Sequence, residues 1–227
     1  MSENPLVTIV TPTYNHENFI CECIDSVLAQ SYENWELCIV DDGSTDTTVE
    51  IARSYSDPRI KISTQANKGM SKLSETYNSA LAMGKGELVA ILEGDDYWPT
   101  DKLSTQFRDF ENENIVLSSG LFTIVGTDRS LIEVKPDPLP AAEALLNAPL
   151  GSAFYALLNV NHLTFTWPVS TVIRRSTLEK IGGFQQPSYL PIVDLPTFAR
   201  LSLEGSFVFH ETSSLGFWRR HDKSATK

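Results

Sequence analysis

The sequence is short of positive charge, of cysteine and of long apolar runs, and each shortage removes a class of protein. Lys and Arg number 18 against 29 Asp and Glu, a formal charge of -11. Proteins that grip nucleic acid do so with clustered cations, so this balance argues against that partner. A phosphorylated ligand would need a metal ion or helix N-termini to be received here. The three cysteines, Cys21, Cys23 and Cys38, are odd in number and lie among apolar neighbours. That pattern reads as reduced thiols in a cytoplasmic protein, not as a disulfide frame. Cys21 and Cys23 sit two apart on a helical pattern and face different ways, which argues against a metal pair. No apolar run approaches the roughly 20 residues of a membrane span, and the polar start Met1-Ser2-Glu3-Asn4 is no signal peptide. Any membrane association expected of this chain is peripheral. Glycine is missing where two nucleotide-binding motifs need it: the loop Thr11-Pro12-Thr13-Tyr14-Asn15 contains none, and no G-x-x-x-x-G-K-[ST] occurs. A dinucleotide site and a P-loop are thereby excluded.

The 227 residues are 41% apolar and 10% aromatic, enough to bury a core. Their first hundred alternate regularly. Leu6 to Thr11, Trp35 to Val40, Arg59 to Thr64 and Glu87 to Leu92 are β-branched or continuously apolar, as strands covered on both faces are. Between them lie helical spacings: Phe19, Ile20, Cys23, Ile24, Val27 and Leu28, with Asn15 as N-cap; Val49, Ile51, Ala52 and Tyr55; and Leu73, Tyr77, Ala80 and Leu81, stopped by Gly84 and Gly86. Such alternation predicts an α/β protein with a mostly parallel, doubly wound sheet. The second half is less regular. It predicts a helix over Asp101 to Phe110, strands at Ile115 to Ser118 and Leu121 to Val125 around Gly120, and a short helix at Ala141 to Leu146 within the proline-bearing stretch 136–149. A strand at Val169 to Arg174, a helix at Asp194 to Leu203 and a strand at Phe207 to His210 complete it. Neither repeat nor linker is visible, so a single domain is expected.

In such sheets ligands collect at the carboxyl ends of the strands. Three strand ends carry chemistry: Pro12-Thr13-Tyr14-Asn15, Asp41-Asp42-Gly43-Ser44 and Glu93-Gly94-Asp95-Asp96. The second reads equally as a turn with a helix cap. The third crowds three like charges into four residues, which a divalent cation would relieve. His16, His162 and His210 read as structural. Arg219, Arg220 and His221 form the dense cationic group near the end, either a solvated tail or a lid over an anionic ligand.

The run VTIVTPTYNHENFICECIDSVLAQSYENWELCIVDDGSTDTT resembles the opening of the family 2 glycosyltransferases, with their GT-A fold. Asn67-Lys68-Gly69, the acidic ILEGDDYWPTDKL, STVIRRSTLEKIGGF and the final FWRRHDKSATK are similar to later family segments and come in the family's order. The resemblance implies a single GT-A-like domain: a Rossmann-like, mostly parallel doubly wound sheet with a smaller mixed acceptor-side part. Residues 1–112 would bind the nucleotide sugar and 113–227 the acceptor.

It further implies an inverting, hexosyltransferase-type enzyme of the kind used in polysaccharide biosynthesis. A sugar would pass from a nucleotide-diphosphate sugar, a UDP-sugar above others, to a hydroxyl of a glycan, lipid-linked or other acceptor. Thr11, Pro12 and Tyr14 would flank the base, Asp41 would accept the uracil imide N–H, and Asp42, Asn67, Gly69, Lys72 and Asp95 would complete the donor site. Asp95 and Asp96, with Glu93 and His221 as further ligands, would hold Mn²⁺ or Mg²⁺. Arg219, Arg220 and His221 would close over the diphosphate. Asp194 would be the general base; by residue type alone it reads equally as an N-cap. The chain departs from the family at Glu93, where an Asp is usual, at Ser74 and Glu75, where an Arg-Asn pair is common, and at Val193-Asp194, where a Glu-Asp pair is usual. Its end soon after His221 fits a catalytic core taken from a longer protein. A sugar-nucleotide-binding module without transfer, and a nucleotidyltransferase, are the competing functions.

Overall fold

The computed structural model describes residues 2–135, 150–154, 167–188 and 190–222. The helix expected at Ala141 to Leu146 and the histidine His162 lie outside them. The alternation of the first half is realised as β1 (Val7–Thr13), α1 (Ile20–Leu28), β2 (Trp35–Asp41), α2 (Thr48–Arg53), β3 (Ile60–Thr64), α3 (Leu73–Met83) and β4 (Leu88–Ile91). Strands β1, β2 and β4 are buried along their whole length, which is why their sequences are runs and not alternations. β3-β2-β1-β4 pair in parallel. Successive residues of β1 feed opposite cores: Val7 and Ile9 meet Ile20, Ile24 and Val27 of α1, while Val10 meets Tyr77, Ala80 and Leu81 of α3.

The second half adds α4 (Lys102–Gln106), β5 (Ile115–Val125), β6 (Leu131–Lys135), β7 (Val172–Arg174), α5 (Arg175–Lys180), α6 (Asp194–Leu201) and β8 (Ser206–Arg219). β7 joins β4 antiparallel, β5 joins β7 antiparallel and β8 parallel, and β6 joins β5 antiparallel. One eight-stranded sheet among the described residues runs through both halves of the sequence. The protein is therefore a single α/β domain with parallel strands in its first half and a mixed remainder, the architecture expected.

Several element bounds differ from the sequence reading for local reasons. Asn15 is no helix cap. It takes φ 54°, and its side-chain carbonyl accepts the Thr45 N–H at 2.8 Å, tying the loop after β1 to the loop after β2. The expected helix Asp101 to Phe110 tightens into a 3₁₀ turn at Phe107–Glu111. Gly120 does not divide two strands; β5 runs through it because the His210 carbonyl and the Leu215 side chain fill the space beside it. The strand expected at Val169 to Arg174 is a 3₁₀ turn over Pro168–Ser170 followed by β7.

Candidate active site

The carboxyl ends of β1, β2 and β4 open onto a cavity of about 390 Å³, within the range of small-ligand sites. Pro12, Thr13, Tyr14 and His16 form one wall, Asp42, Asn67, Gly69 and Met70 another, and Leu73 and Thr76 of α3 a third. Glu93 and Asp95 lie at its base, and Trp218 of β8 closes the side. Tyr14 is 44% exposed, so its ring stands free at the rim.

The two aspartates after β2 divide their work. Asp41 is 2% exposed and does not line the cavity. Its carboxylate accepts the N–H groups of Gly43 and Ser44 and the Ser44 hydroxyl, so it builds its own turn. Asp42 faces the cavity and holds its second wall: it accepts Gln65 Nε2 at 2.7 Å and the backbone N–H groups of Lys68 and Gly69 at 3.1 Å. Gly43, at φ 77°, passes so close to Asn67 that a Cβ would lie 2.7 Å from its backbone nitrogen. Thr11 does not line the cavity either: it is fully buried in β1, and its hydroxyl has no hydrogen-bond partner among the described residues. Lys72 lies outside the cavity, and its ammonium pairs with Glu75, as does that of Lys68.

After β4, one carboxylate oxygen each of Glu93, Asp95 and Asp96 falls within 4.8 Å of the others. A hydroxyl and two imidazoles already attend them. Tyr77 Oη donates to Glu93; His221 Nε2 lies 3.0 Å and His16 Nε2 3.7 Å from Asp95 Oδ2. Burial, with Asp95 and Asp194 adding repulsion, pushes the Glu93 carboxyl up to about 7 despite the Tyr77 bond. Burial likewise drives Asp96 well above the ordinary range, with Asp95 and Glu93 adding to it. Burial would raise Asp95 too, but the imidazoles of His16 and His221 outweigh it and hold that group low. Three hard oxygen donors crowded at mutual expense fit a divalent cation, which removes the repulsion they impose on one another.

The turn carrying these acids is fixed from the other half. Tyr97 and Phe217 exchange backbone hydrogen bonds at 3.3 and 2.9 Å, and the Arg219 N–H donates to Asp96 Oδ1 at 2.8 Å. Arg219 is thus not part of a lid. It ends a 14-residue strand, is 1% exposed, and its guanidinium donates to Glu22 and to the carbonyl oxygens of Asp95 and Thr127. The physical reason is desolvation: a buried guanidinium takes the carboxylate and carbonyls around it in preference to reaching out. Arg220 is exposed, with its guanidinium 5.2 Å from the Trp218 ring, and its N–H bonds Val125. Of the cationic group only His221 turns toward the acids, packed against Phe19 at 4.9 Å between ring centres. Asp194 opens α6; burial raises its carboxyl above the usual value although the backbone of Leu195 and of Asp194 itself acts to lower it, and its charge is felt at both Glu93 and Tyr77.

Sequence reasoning missed His16 and Trp218. A signal for His16 existed: it follows Thr13 by three residues, and its Nδ1 meets Thr13 Oγ1 at 3.1 Å. Gly94 makes room for that pair, since a Cβ there would lie 2.4 Å from Thr13 Oγ1 and 2.9 Å from His16 Nδ1.

Fold and site define the class: a GT-A-like, Rossmann-type α/β domain with an acid-lined cavity at the carboxyl ends of its parallel strands. The pattern described as glycosyl transferase family 2 matches residues 8–182, and the chain belongs to that family. A protein of Bacillus subtilis (strain 168) named for teichuronic acid biosynthesis, the glycosyltransferase TuaG, is 29% identical over 95% of this chain and 79% of its own length. The Escherichia coli UDP-Glc:alpha-D-GlcNAc-diphosphoundecaprenol beta-1,3-glucosyltransferase WfgD is 35% identical over 64% of this chain and 57% of its own. Among solved structures, the mannosyltransferase PcManGT of Pyrobaculum calidifontis, in complex with GDP-Man and Mn²⁺, has the same fold at TM-score 0.71 and 20% identity, over 98% of this chain and 59% of that one. No helix among the described residues is long and apolar enough to cross a membrane.

Proposed function

We propose that this protein is an inverting glycosyltransferase that moves a sugar from a nucleotide-diphosphate sugar, with UDP as its nucleotide, to an acceptor hydroxyl. The observation that carries the reading is the Glu93–Asp95–Asp96 cluster at the base of a cleft with one exposed aromatic ring at its rim. In a chain of charge -11, a diphosphate enters such a cleft only in company with a cation. Asp95 and Asp96, with Glu93 and His221 in reach, would hold Mn²⁺ or Mg²⁺, and the ion supplies Lewis-acid stabilisation of the leaving diphosphate. Tyr14 and Pro12 would pack on the base, while Asn67 and Gly69, folded into place by Asp42, would form the opposite wall.

Asp194 would take the acceptor proton. Its raised carboxyl suits a general base, and its place at the first turn of α6 fixes its orientation. The E. coli relative is named for a lipid-linked acceptor, and a hydroxyl of that kind belongs to the acceptor class proposed for this chain.

Two measurements test this. Calorimetry of UDP with Mn²⁺ should show binding that excess chelator abolishes; affinity unchanged in chelator defeats the metal assignment. Asp194→Asn should leave Mn²⁺–UDP affinity intact while transfer drops by about 10²-fold or more. Transfer at the wild-type rate in that variant removes Asp194 from the mechanism.

A further inference from the structure

The cavity wall on the donor side and the segment that carries Asp194 are joined by one side chain. Gln186 Oε1 accepts the Ser74 N–H in the first turn of α3 at 2.9 Å, and its Nε2 donates to the Met70 carbonyl at 2.7 Å and the Leu190 carbonyl at 3.1 Å. The partners dictate the orientation of the amide, since an N–H must meet an acceptor and carbonyls must meet donors. Three of the four hydrogen-bonding positions of the group are used. Met70 and Leu73 line the cavity, and Leu190 lies four residues before Asp194.

A second, parallel attachment stands beside it. Asn78 of α3 accepts the Phe184 N–H at 2.8 Å and donates to the Phe184 carbonyl at 2.9 Å, and the Phe184 ring lies 5.1 Å from that of Tyr77. Asn78 grips the acceptor-side segment at its start, against the rigid middle of α3. Gln186 instead reaches the 3₁₀ turn Met70–Lys72, whose Met70 lines the cavity. The two bonds differ in what they can transmit.

We propose that Gln186 is a positioning residue that makes occupancy of the donor cavity felt at Asp194: a nucleotide that orders the 67–73 wall also orders the segment leading to the base. The inference rests on the reading of the cleft as a donor site and of Asp194 as the base. Coupling of this kind needs a physical connection whose state both sites bias, and here the connection is a single amide with three named partners.

Gln186→Glu is the discriminating variant. It keeps an acceptor for the Ser74 N–H but faces the Met70 and Leu190 carbonyls with an oxygen, so it breaks the two bonds that join the 3₁₀ turn to the segment before Asp194 while sparing the helix start. Because Gln186 is partly exposed, the fold should survive, with Gln186→Ala as a second variant. Hydrogen exchange without ligand is the first reading: amides of 67–74 and of 184–188 and 190–195 should speed up together in both variants, although more than a hundred residues separate them. Exchange altered in one segment alone overturns the proposal.

Exchange with Mn²⁺ and UDP is the second. In the wild type, UDP should protect both segments, and in Gln186→Glu only 67–74. Calorimetry should show UDP affinity within about threefold, while acceptor-dependent transfer falls about tenfold and donor hydrolysis does not. UDP that binds normally and protects 67–74 alone in the wild type overturns the coupling and leaves the donor site standing. Failure of UDP to bind at all overturns the donor-site reading and the coupling with it.

Discussion

Asp41 and Asp42 carry the same carboxylate one residue apart, and the backbone around them decides which reaches a ligand. Asp41 is consumed by the turn Asp41–Ser44, whereas Asp42 shapes the wall that contains Asn67 and Gly69. The sequence expectation that Asp41 selects uracil therefore changes into a different outcome. Asp41→Ala should weaken UDP and CDP equally and lower stability by about 1 kcal/mol, the worth of a lost turn or cap bond. That amounts to roughly 2–4 °C in Tm for a chain of this length. A selective loss of UDP in parallel titrations would restore the base-reading role. Gly94 makes the same point from the other side. A methyl group there collides with Thr13 and His16, so Gly94→Ala should displace His16, whose Nε2 lies 3.7 Å from Asp95 Oδ2, and weaken Mn²⁺–UDP binding by about tenfold through the disturbed surroundings of that carboxylate. Affinity equal to wild type in calorimetry would show that the wall yields at no cost.

At the scale of elements, the parallel half was legible because β1, β2 and β4 are short and buried along their whole length, the half-buried β3 carries two isoleucines, and helices of clear period separate the four. β8 was not. Its sequence, Ser-Phe-Val-Phe-His-Glu-Thr-Ser-Ser-Leu-Gly-Phe-Trp-Arg, loses its apolar character in the middle, where residues 211–213 are exposed. Only pairing with the remote β5, through repeated shifts of register, keeps it a strand. The cationic group at its end consequently read as a lid. The strand assignment makes a prediction of its own. Arg219→Met leaves Glu22 with Arg129 alone among the described residues, at 2.6 Å, and takes the guanidinium from the Asp95 and Thr127 carbonyls, so unfolding stability should fall by about 3 kcal/mol, as when the hydrogen bonds of a buried charged group are lost. A scan should record a Tm lower by roughly 6–12 °C. Loss of nucleotide affinity with Tm unmoved would instead mark a mobile cationic lid.

For the whole molecule, what the sequence could show was the set of strand ends, since pattern and topology place them on one edge. What it could not show was traffic between the halves: Asp96 held by the Arg219 backbone, Leu190 held by Gln186, and the interior around Lys102. The last of these was hidden because a lysine in an amphipathic helix ordinarily faces water, and the period marked Leu103, Phe107 and Phe110 as the inward side. Lys102 is instead 0% exposed. Its ammonium lies 4.8 Å from the centre of the Trp98 ring and donates to Gln106, whose own amide bonds Ser118 and the Ser170 carbonyl at 3.0 Å. No carboxylate pairs with it among the described residues, and burial drives its pKa well below 10.5. The sign of the effect follows from linkage. Between the depressed folded value and 10.5 the unfolded chain binds the proton and the folded chain does not, so stability rises with pH across that window; below the folded value the whole penalty is present. Lys102→Met keeps the length of the side chain and removes the titration. Thermal melts of the two proteins from pH 6 to pH 10 should therefore converge or cross in one direction only, wild type gaining on the variant as pH rises. The difference between the proteins is the quantity to read, because every other titrating group is common to both and cancels. Parallel Tm curves across that range would mean that Lys102 is charged in the folded protein throughout, with the Trp98 face and the Gln106 carbonyl sufficient to hold an ammonium ion out of water.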